Sequence, residues 1–290
     1  MRFVFIAAEK AQYPVRLLCS LLKVSRSGYY AWCGRPPSQR ATADRVLTAE
    51  IRDIHERSKQ RYGSPRIHEE LGANDTHVGR KRVARLMRED GICVQSKRRF
   101  VKTTDSKHDF PIAPNVLERN FDADAPNEIW VGDITYLDTH QGWLYLAVLI
   151  DLYSRRVVGW AMSEHIDTAL VMSALNMALA RRKPARGLIH HTDRGSQYAS
   201  HEYRKALRDI GAECSMSRKG DCWDNAVAES FFASLRKELT NRVTFLSRDA
   251  ARSNVFEYIE AFYNRVRRHS TINYQSPIDF ELGRSKSRAA

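Results

Sequence analysis

The sequence predicts an α/β protein in which a helical amino-terminal part precedes a core built on a mixed β-sheet. Apolar residues recur at helical spacing through roughly the first 90 residues. Three strand-like segments with short polar turns follow between residues 129 and 162, and helical and strand-like segments alternate after them. Strands joined by short turns must be antiparallel, whereas strands joined through helices can lie parallel. The pattern therefore predicts one mixed sheet.

Two helical units are predicted before the core. In the first, residues 1–40, leucines at helical spacing indicate two short helices, and Ser25 is a suitable N-cap for the second. A Pro-rich segment then breaks the helical pattern. In the second unit, residues 41–95, helices are predicted over 44–58, from Ser64-Pro65, and over 79–89. Both units have the size of a helix-turn-helix, and ordinary helical hairpins are the alternative.

The last helix of the second unit has a strongly basic outer face. Val83, Leu86 and Met87 are expected to point inward, while five cations point outward: Arg80, Lys81, Arg82, Arg85 and Arg88. A short helix, a turn and a basic second helix form the arrangement that enters the major groove of DNA. The candidate DNA contacts on this helix are Arg80, Lys81, Arg82 and Arg85. A basic face that is merely solvated is the alternative.

The positive charge of the chain is concentrated before the core. The net charge is +13, and residues 1–110 contain 23 Lys and Arg against 12 Asp and Glu. The remaining residues contain 24 against 22. Residues 96–120 form a basic linker whose Lys97, Arg98 and Arg99 could track phosphates. This distribution predicts a polyanionic partner for the amino-terminal part.

Composition excludes several classes of protein. Five cysteines occur without a CxxC pair, which argues against a disulfide framework and for a reducing compartment. No apolar run reaches the length of a transmembrane helix, and the amino terminus does not read as a secretory signal. We therefore expect a cytoplasmic protein that works on an acidic polymer.

The core is predicted over residues 121–245, and its elements can be placed in order. Strands are expected at 129–137, 143–152, 157–162, 188–191 and 214–216, and helices at 168–182, 200–210 and from Asp224 or Asn225 onward. This order is that of a ribonuclease-H-like α/β domain. A further helix over 249–268 begins the last unit, residues 246–290. It ends in a basic cluster expected to pack on the core and touch DNA: Arg265, Arg267, Arg268 and His269.

Three carboxylates occupy special positions in these elements. Asp133 lies within the first strand, Asp193 just beyond the fourth, and Glu229 on the last core helix, with 35 residues between the last two acids. The first strand is expected to lie beside the fourth, so Asp133 and Asp193 can be adjacent at the edge where open α/β sheets bind ligands. Three acids held in this way can bind a pair of divalent cations that clamp a phosphodiester.

The sequence around these acids resembles that of bacterial insertion-sequence transposases. The motifs that carry the resemblance are WVGDITYL, IDLYSRRVVGWAMS, HHTDRGSQYAS, SRKGDCWDNAVAESFFASLRKE and YNRVRRHSTINYQSPIDF. Together they run from about Tyr13 to Phe280, nearly the whole chain. The most similar type is the IS-three type, whose catalytic, OrfB-like protein is encoded by the second of two overlapping reading frames. These enzymes are relatives of retroviral integrases.

The resemblance implies a DNA transposase of the DDE type. It would bind the terminal inverted repeats of its element and catalyse metal-dependent cleavage and transfer of DNA strands. Asp133, Asp193 and Glu229 would be the catalytic and metal-binding acids, with two Mg²⁺ ions that Mn²⁺ can replace. Arg236, seven residues after Glu229 and on the same helix face, would contact a DNA phosphate.

The resemblance also implies partners. They are the double-stranded DNA of the element ends and of the target, further copies of the chain because two ends must be paired, and the upstream-frame protein of the same element. The location would be the bacterial cytoplasm, at the nucleoid. Other polar residues near the acids are expected to be structural: Asp151, in a role near Arg155, and His190 and His191, which pack or hydrogen-bond at the end of a strand.

Two other functions remain open from the sequence. A ribonuclease-H-like nuclease would only hydrolyse its substrate, and a strand-transfer assay separates it from a transposase. A DNA-binding regulator with an inactive core would show no Mg²⁺-dependent cleavage. The complete set of acids argues against the regulator, and the spacing of the acids and Arg236 argue against the nuclease.

Overall fold

The structure, a computed structural model, describes residues 1–94, 112–118, 120–218 and 222–283, without the side chains of Cys222 and Trp223. The linker cations Lys97, Arg98 and Arg99 lie outside the described residues. The strands among the described residues are β1 (Ile129–Leu137), β2 (Leu144–Asp151), β3 (Val157–Ser163), β4 (Ile189–Thr192) and β5 (Glu213–Met216). They form one sheet in the order β3-β2-β1-β4-β5.

The pairing of the strands makes the sheet mixed. β1 and β2, and β2 and β3, are antiparallel, because short turns join them. β1 pairs with β4, and β4 with β5, in parallel, since a helix separates each of these strands from the one before it in the chain. The prediction that the first strand is central and adjoins the fourth is therefore confirmed.

The α-helices among the described residues are α1 (Arg2–Glu9), α2 (Val15–Leu21), α3 (Arg26–Cys33), α4 (Gln39–Arg57), α5 (Ser64–Ala73), α6 (Arg80–Glu89), α7 (Thr168–Arg182), α8 (Ser196–Ala199), α9 (His201–Asp209), α10 (Ala226–Leu235), α11 (Arg248–Phe256) and α12 (Pro277–Glu281), with π-helical segments at Arg236–Thr240 and Glu257–Tyr263. Several helices, among them α6, α7 and α9, begin and end close to the predicted positions. Within the described part of the chain, no helix is both long and apolar enough to cross a membrane.

Helices cover both faces of the sheet. On one face, α7 and α9 bury a cluster that includes Trp130, Ile134 and Leu175. Gly159 of β3 lies directly under α7, where a Cβ atom would collide with the backbone oxygen of Ala174, so glycine is required for this close packing. On the other face, α10 and the π-helical segment Glu257–Tyr263 pack against β1 and β2. The predicted α/β layers are thus present.

The first three helices form a small unit with its own apolar cluster. Its buried residues are Ile6, Leu18, Cys19 and Tyr29. Ser25 caps α3 by accepting a hydrogen bond from the backbone N–H of Gly28 at 3.0 Å, as predicted. The sequence did not predict α1, because its short apolar stretch has no helical start signal and becomes stable by packing. Phe3 on α1 contacts the rings of Tyr29 and Trp32.

Helices α4 to α6 pack against the core instead of standing apart from it. Their buried residues Leu47, Ile51, Ile67, Leu71 and Val83 belong to the same apolar cluster as residues of β1, β2 and α10. The helix α4 begins at Gln39, five residues before the predicted start, with Ser38 as its N-cap. Its first turn is polar and so lacks the apolar periodicity on which the prediction rested.

The segment between α4 and α5 anchors the unit of helices α4 to α6 to the carboxy-terminal part of the chain. The Tyr62 ring is buried, and its hydroxyl donates to the backbone oxygen of Val266 at 3.0 Å and accepts from the backbone N–H of Arg268 at 3.1 Å. Arg61 is 6% exposed and lies 4.3 Å over the Phe262 ring. The predicted helix over 249–268 ends in the π-helical segment at Tyr263, so the chain can turn toward these residues.

Tyr62→Phe is expected to lower the free energy of unfolding by about 1 kcal/mol or more, because it leaves the Val266 oxygen and the Arg268 N–H without their partner. Equilibrium denaturation measures the change. Tyr198→Phe is the matched control, since this hydroxyl is equally buried and has no hydrogen-bond partner among the described residues. The interpretation of Tyr62 as an anchor is wrong if both variants unfold at the same denaturant concentration.

Candidate active site

Asp133 lies in the middle of β1, on the face that is covered by α10. Its side chain is half-buried, between the buried residues Val131 and Ile134. One carboxylate oxygen accepts a hydrogen bond from the backbone N–H of Ile134 at 2.8 Å. The strand thus presents a carboxylate at a position where an apolar residue would otherwise complete the core.

Asp193 follows the end of β4 directly. Gly132 pairs with Thr192 across the parallel strands β1 and β4, so Asp133 and Asp193 each directly follow one member of this pair. The Asp193 carboxylate accepts from the backbone N–H of Gly195 at 3.0 Å. A Cβ atom on Gly195 would come within 3.0 Å of that carboxylate oxygen and still closer to the end of the Gln197 side chain, which would have to move.

Glu229 lies in the first turn of α10, and the start of this helix is tied to β1. The Asn225 side chain donates to the backbone oxygen of Gly132 at 3.3 Å, next to Asp133. The preceding Asp224 is fully buried and accepts from the Asn115 side chain and from the backbone N–H of Arg218. Sequence reasoning treated these two residues only as a helix start. Only the fold shows that Asn225 links two of the acidic elements.

The three acids act on one another electrostatically. Burial raises the pKa of Asp133 well above its usual value, and the Asp193 charge raises it further. The Ile134 N–H and the charge of Arg236 oppose this rise, while Glu229 adds to it. Burial also raises the pKa of Glu229, against the effect of Arg236. An unfavourable concentration of carboxylates of this kind is typical of a functional site.

The donor set fits divalent cations. Carboxylate oxygens on three separate elements are the ligands that Mg²⁺ and similar hard cations prefer. No three carboxylate, imidazole or thiol groups of the described residues already lie close enough to hold a metal ion together. Burial and the charge of Asp193 raise the pKa of Asp133 and so disfavour its ionised form, which a bound cation would favour. The sequence prediction of a metal site at these acids stays a prediction.

The histidines near the acids have structural partners. His190 Nε2 lies 2.7 Å from the Tyr203 hydroxyl, and the two nitrogens of His191 contact the hydroxyls of Ser215 and Ser217. Burial lowers the pKa of His190 to about 3 and that of His191 to about 4. Both rings are therefore neutral and packed at the end of β4, as the sequence suggested.

Arg236 begins the π-helical segment that follows α10, and it is exposed. Its charge reaches both Asp133 and Glu229, since it acts on the pKa of each after the larger effect of burial. The neighbouring Lys237 is also exposed but has no such effect on either acid. Gln197 is half-buried and Tyr198 is buried, so Tyr198 is placed to pack and not to touch a substrate.

The basic helix α6 contains two kinds of cation. Arg82 and Arg85 are half-buried, and each is paired with Asp44 of α4, at 2.6 and 2.7 Å. Arg85 also pairs with Glu89 at 2.7 Å. Arg80, Lys81 and Arg88 are exposed. Part of the basic face that the sequence assigned to DNA therefore holds α6 against α4.

The carboxy-terminal basic cluster is mostly internal, which corrects the expectation that it touches DNA. Arg267 is 5% exposed and His269 is buried. Arg268 pairs with Glu70 of α5 at 2.6 Å, and Arg265 is exposed. The expectation that this segment packs on the core was right. Its charges serve as partners for buried acids because Glu238 and Glu70 lie on the elements it packs against.

Asp151 is structural, as predicted. It is fully buried at the end of β2 and pairs with Arg182 of α7 at 3.1 Å. The backbone N–H of Arg155, near which this role was expected, donates to the backbone oxygen of Asp151 at 2.8 Å, and the Arg155 side chain donates to the backbone oxygen of Phe121. Arg182 also binds Glu281 of α12, so this cluster ties together β2, α7 and α12.

Comparisons with known proteins agree with this architecture. The integrase core domain family matches residues 123–222 and 210–277, and an HTH-like domain family matches residues 42–100. An uncharacterized 31 kDa protein of the insertion element IS600 from Shigella sonnei is 46% identical over 263 residues, 91% of this chain and 97% of the relative. Transposase InsF for the insertion sequence IS3A of Escherichia coli is 45% identical over 283 residues, 97% of this chain and 98% of the relative.

Among solved structures, a chain of the simian T-cell lymphotropic virus intasome in complex with PP2A regulatory subunit B56 gamma aligns with 80% of this chain and 74% of its own length, with 16% identity and a TM-score of 0.46. The identity to the curated relatives extends over nearly the whole length of both proteins. The integrase-type core implies a dependence on divalent metal, and the HTH-like domain implies binding to DNA. The chain belongs to the insertion-sequence transposases of the IS3 type, which are DDE polynucleotidyl transferases with a ribonuclease-H-like core.

Proposed function

We propose that Asp133, Asp193 and Glu229 form the catalytic and metal-binding set of this transposase and that they hold two Mg²⁺ ions, which Mn²⁺ can replace. The observation that carries this proposal is that Asp133 is half-buried and that its pKa is raised by burial and by the charges of Asp193 and Glu229. A protein that keeps such a cluster without a cation gives up stability. That cost is usual at functional sites.

The chemistry divides between the cations and the residues of the chain. When bound, a pair of divalent cations would stabilise the attacking and leaving oxygens of the phosphodiester. The three carboxylates would hold these cations at the edge of the sheet, and Arg236 would orient a neighbouring DNA phosphate. In cleavage, water attacks the phosphorus, and the oxygen that it displaces becomes a 3′-hydroxyl. In joining, that hydroxyl attacks a second phosphodiester, forms a new P–O bond and displaces the 3′-oxygen of the attacked strand, which leaves as a hydroxyl. No covalent nucleophile of the chain is needed.

The variants Asp133→Asn, Asp193→Asn and Glu229→Gln are each expected to abolish cleavage and joining while DNA binding stays nearly unchanged, because each removes one ligand charge and conserves shape. Paired binding and Mg²⁺-dependent joining assays on purified protein measure this. Glu213→Gln, which removes an exposed acid from β5 of the same sheet, is the control. Near-normal joining by one of the three variants would remove that residue from the site.

Arg236→Ala is expected to slow strand joining by up to about 100-fold, because misplacing the reacting phosphate by ~1 Å can lower the rate that much. The affinity for the terminal repeats is expected to fall only slightly. Lys237→Ala is a closely matched control, as an exposed cation one residue away without influence on the acids. Joining rates at saturating DNA and equilibrium binding are measured together. Equal losses in binding and joining would make Arg236 a general DNA contact.

We further propose that the DNA-binding surface lies on residues 1–95 and the basic linker 96–120, before a catalytic core at 121–245 and a carboxy-terminal unit at 246–290. The exposed cations Arg80 and Lys81 at the start of α6 are the primary phosphate contacts. Arg82 and Arg85 contribute mainly by holding α6 against Asp44, and they reach DNA only if they leave that acid. Lys97, Arg98 and Arg99 would extend the contact along the backbone of the duplex.

The double variant Arg80→Ala/Lys81→Ala is expected to reduce the slope of log affinity against log salt by nearly one for each residue, in the full-length protein. A salt titration of binding to a labelled duplex measures the slope. Lys205→Ala/Arg208→Ala on α9 removes the same charge from another exposed helix and should leave the slope nearly unchanged. Equal reductions by both variants would mean that binding follows total charge and not this surface.

The proposed substrate is the double-stranded DNA of the element's terminal repeats and of its target, and joining distinguishes this activity from hydrolysis alone. Two ends must be brought together, so we expect a homo-oligomer, with the upstream-frame protein of the same element as a further partner. A bacterial cytoplasmic location at the nucleoid follows from this substrate.

A further inference from the structure

A buried glutamate closes the end of the helix that carries Glu229. Glu238 is 4% exposed and lies in the π-helical segment Arg236–Thr240, two positions after Arg236. Its carboxylate accepts from Arg267 Nε at 2.9 and 3.1 Å, from Arg267 Nη2 at 2.9 Å and from the Tyr258 hydroxyl at 3.0 Å. These donors replace the hydration that burial removes from the carboxylate.

Arg267 contacts the catalytic helix at a second point. Its Nη2 donates to the Ser234 hydroxyl on α10 at 2.8 Å, one turn before Glu238. Its Nη1 lies 3.2 Å from a ring nitrogen of His269. Burial and the Arg267 charge hold the pKa of His269 well below its usual range, so this ring is neutral and can accept. A single guanidinium therefore fixes both α10 and the π-helical segment that follows it.

The helical unit that contains α5 and α6 reaches the same glutamate. Arg61 donates through Nε to the backbone oxygen of Glu238 at 3.3 Å, and Arg66 of α5 lies 3.5 Å from its carboxylate. Both arginines are largely withdrawn from solvent, and burial is the first cause of their lowered pKa values. Glu238 is thus the point where the DNA-binding unit, the catalytic helix and the carboxy-terminal segment meet.

We propose that the Glu238–Arg267 pair is a positioning site that sets the placement of Glu229 and Arg236 relative to the bound DNA end. The inference rests on the proposed roles of those two residues. The pair does not touch the reacting atoms. It holds the end of the helix that does, and it connects that helix to α5 through Arg61 and Arg66.

This pair contributes geometry more than stability. A buried ion pair is often no more stabilising than well-packed apolar residues of the same size, because both charges lose hydration. A guanidinium with several fixed acceptors does, however, define distance and angle closely. Glu238 and Tyr258 lie in the two π-helical segments of the described chain, and π-helical turns are frequent at functional sites.

Arg267→Lys tests the proposal, because lysine keeps the charge but cannot bond Glu238, Ser234 and His269 at once. Arg182→Lys is the matched control. Arg182 is an equally internal arginine, 11% exposed, that binds Asp151 and Glu281 away from α10. The probe is a labelled duplex with the terminal repeat taken from the DNA that flanks the gene. Thermal unfolding, duplex affinity, joining rate at saturating duplex and Mg²⁺ dependence are measured for each full-length protein.

Arg267→Lys is expected to lower the joining rate per folded molecule about tenfold or more, and to raise the Mg²⁺ concentration needed for half-maximal joining, because small displacements of a catalytic group are costly. Its duplex affinity should stay within about threefold of the parent protein. Arg182→Lys should lose thermal stability and keep the joining rate per folded molecule. Equal joining rates for the two variants, or a loss explained by duplex affinity, would overturn the proposal.

Ser234→Ala keeps the test decisive if Arg267→Lys does not fold. It removes only the contact between Arg267 and α10, at a half-buried helical position where alanine is well tolerated. A joining rate at least about threefold lower, at unchanged affinity, supports positioning, and an unchanged rate refutes it. If Asp133→Asn still joins DNA, the proposed active site has failed. If the acids are essential but the Arg267 and Ser234 variants join normally, only the positioning role has failed.

Discussion

The placement of negative charge inside the fold is the constraint on which the rest of the structure depends. Asp133 lies on the central strand, and the parallel pairing of β1 with β4 brings Asp193 beside it. The bond from Asn225 to Gly132 brings the start of α10, with Glu229, to the same strand. Asp133 and Asp193 are half-buried, whereas Glu229 is exposed. A half-buried carboxylate without a cation is costly, and the proposed metal binding would lower that cost.

A second consequence is that many cations of this basic protein are internal. Arg61, Arg182 and Arg267 are each largely buried, and each binds an acid or a carbonyl inside the fold. Arg82 and Arg85 form ion pairs with Asp44. The net charge of +13 thus overstates the number of cations available to DNA. The exposed cations on α6 matter more than their small number suggests, because the other two cations of that helix are paired with Asp44.

The shared apolar cluster has a functional meaning. Helices α4 to α6 and the core bury one continuous set of residues, and Tyr62 and Arg61 reinforce the contact. Interfaces within a chain that are apolar and extensive permit little relative motion. A DNA end held by α6 would then keep a fixed relation to the core of the same chain. The Glu238–Arg267 pair lies at this junction, at the end of the helix that carries Glu229, which is why a buried ion pair outside the acidic cluster can bear on its placement.

The sequence by itself determined most of the local elements and the family of the protein. The strand at 129–137 and the helix at 168–182 could be predicted to the residue, because apolar periodicity and capping are local properties. The spacing and motifs around Asp133, Asp193 and Glu229 indicated the family of the protein. Only the tertiary structure decided which partners meet: Asn225 with Gly132, Asp151 with Arg182, and Arg267 with Glu238. Such contacts join residues 29 to 93 positions apart, and their pairing depends on how the layers pack, which no local pattern records.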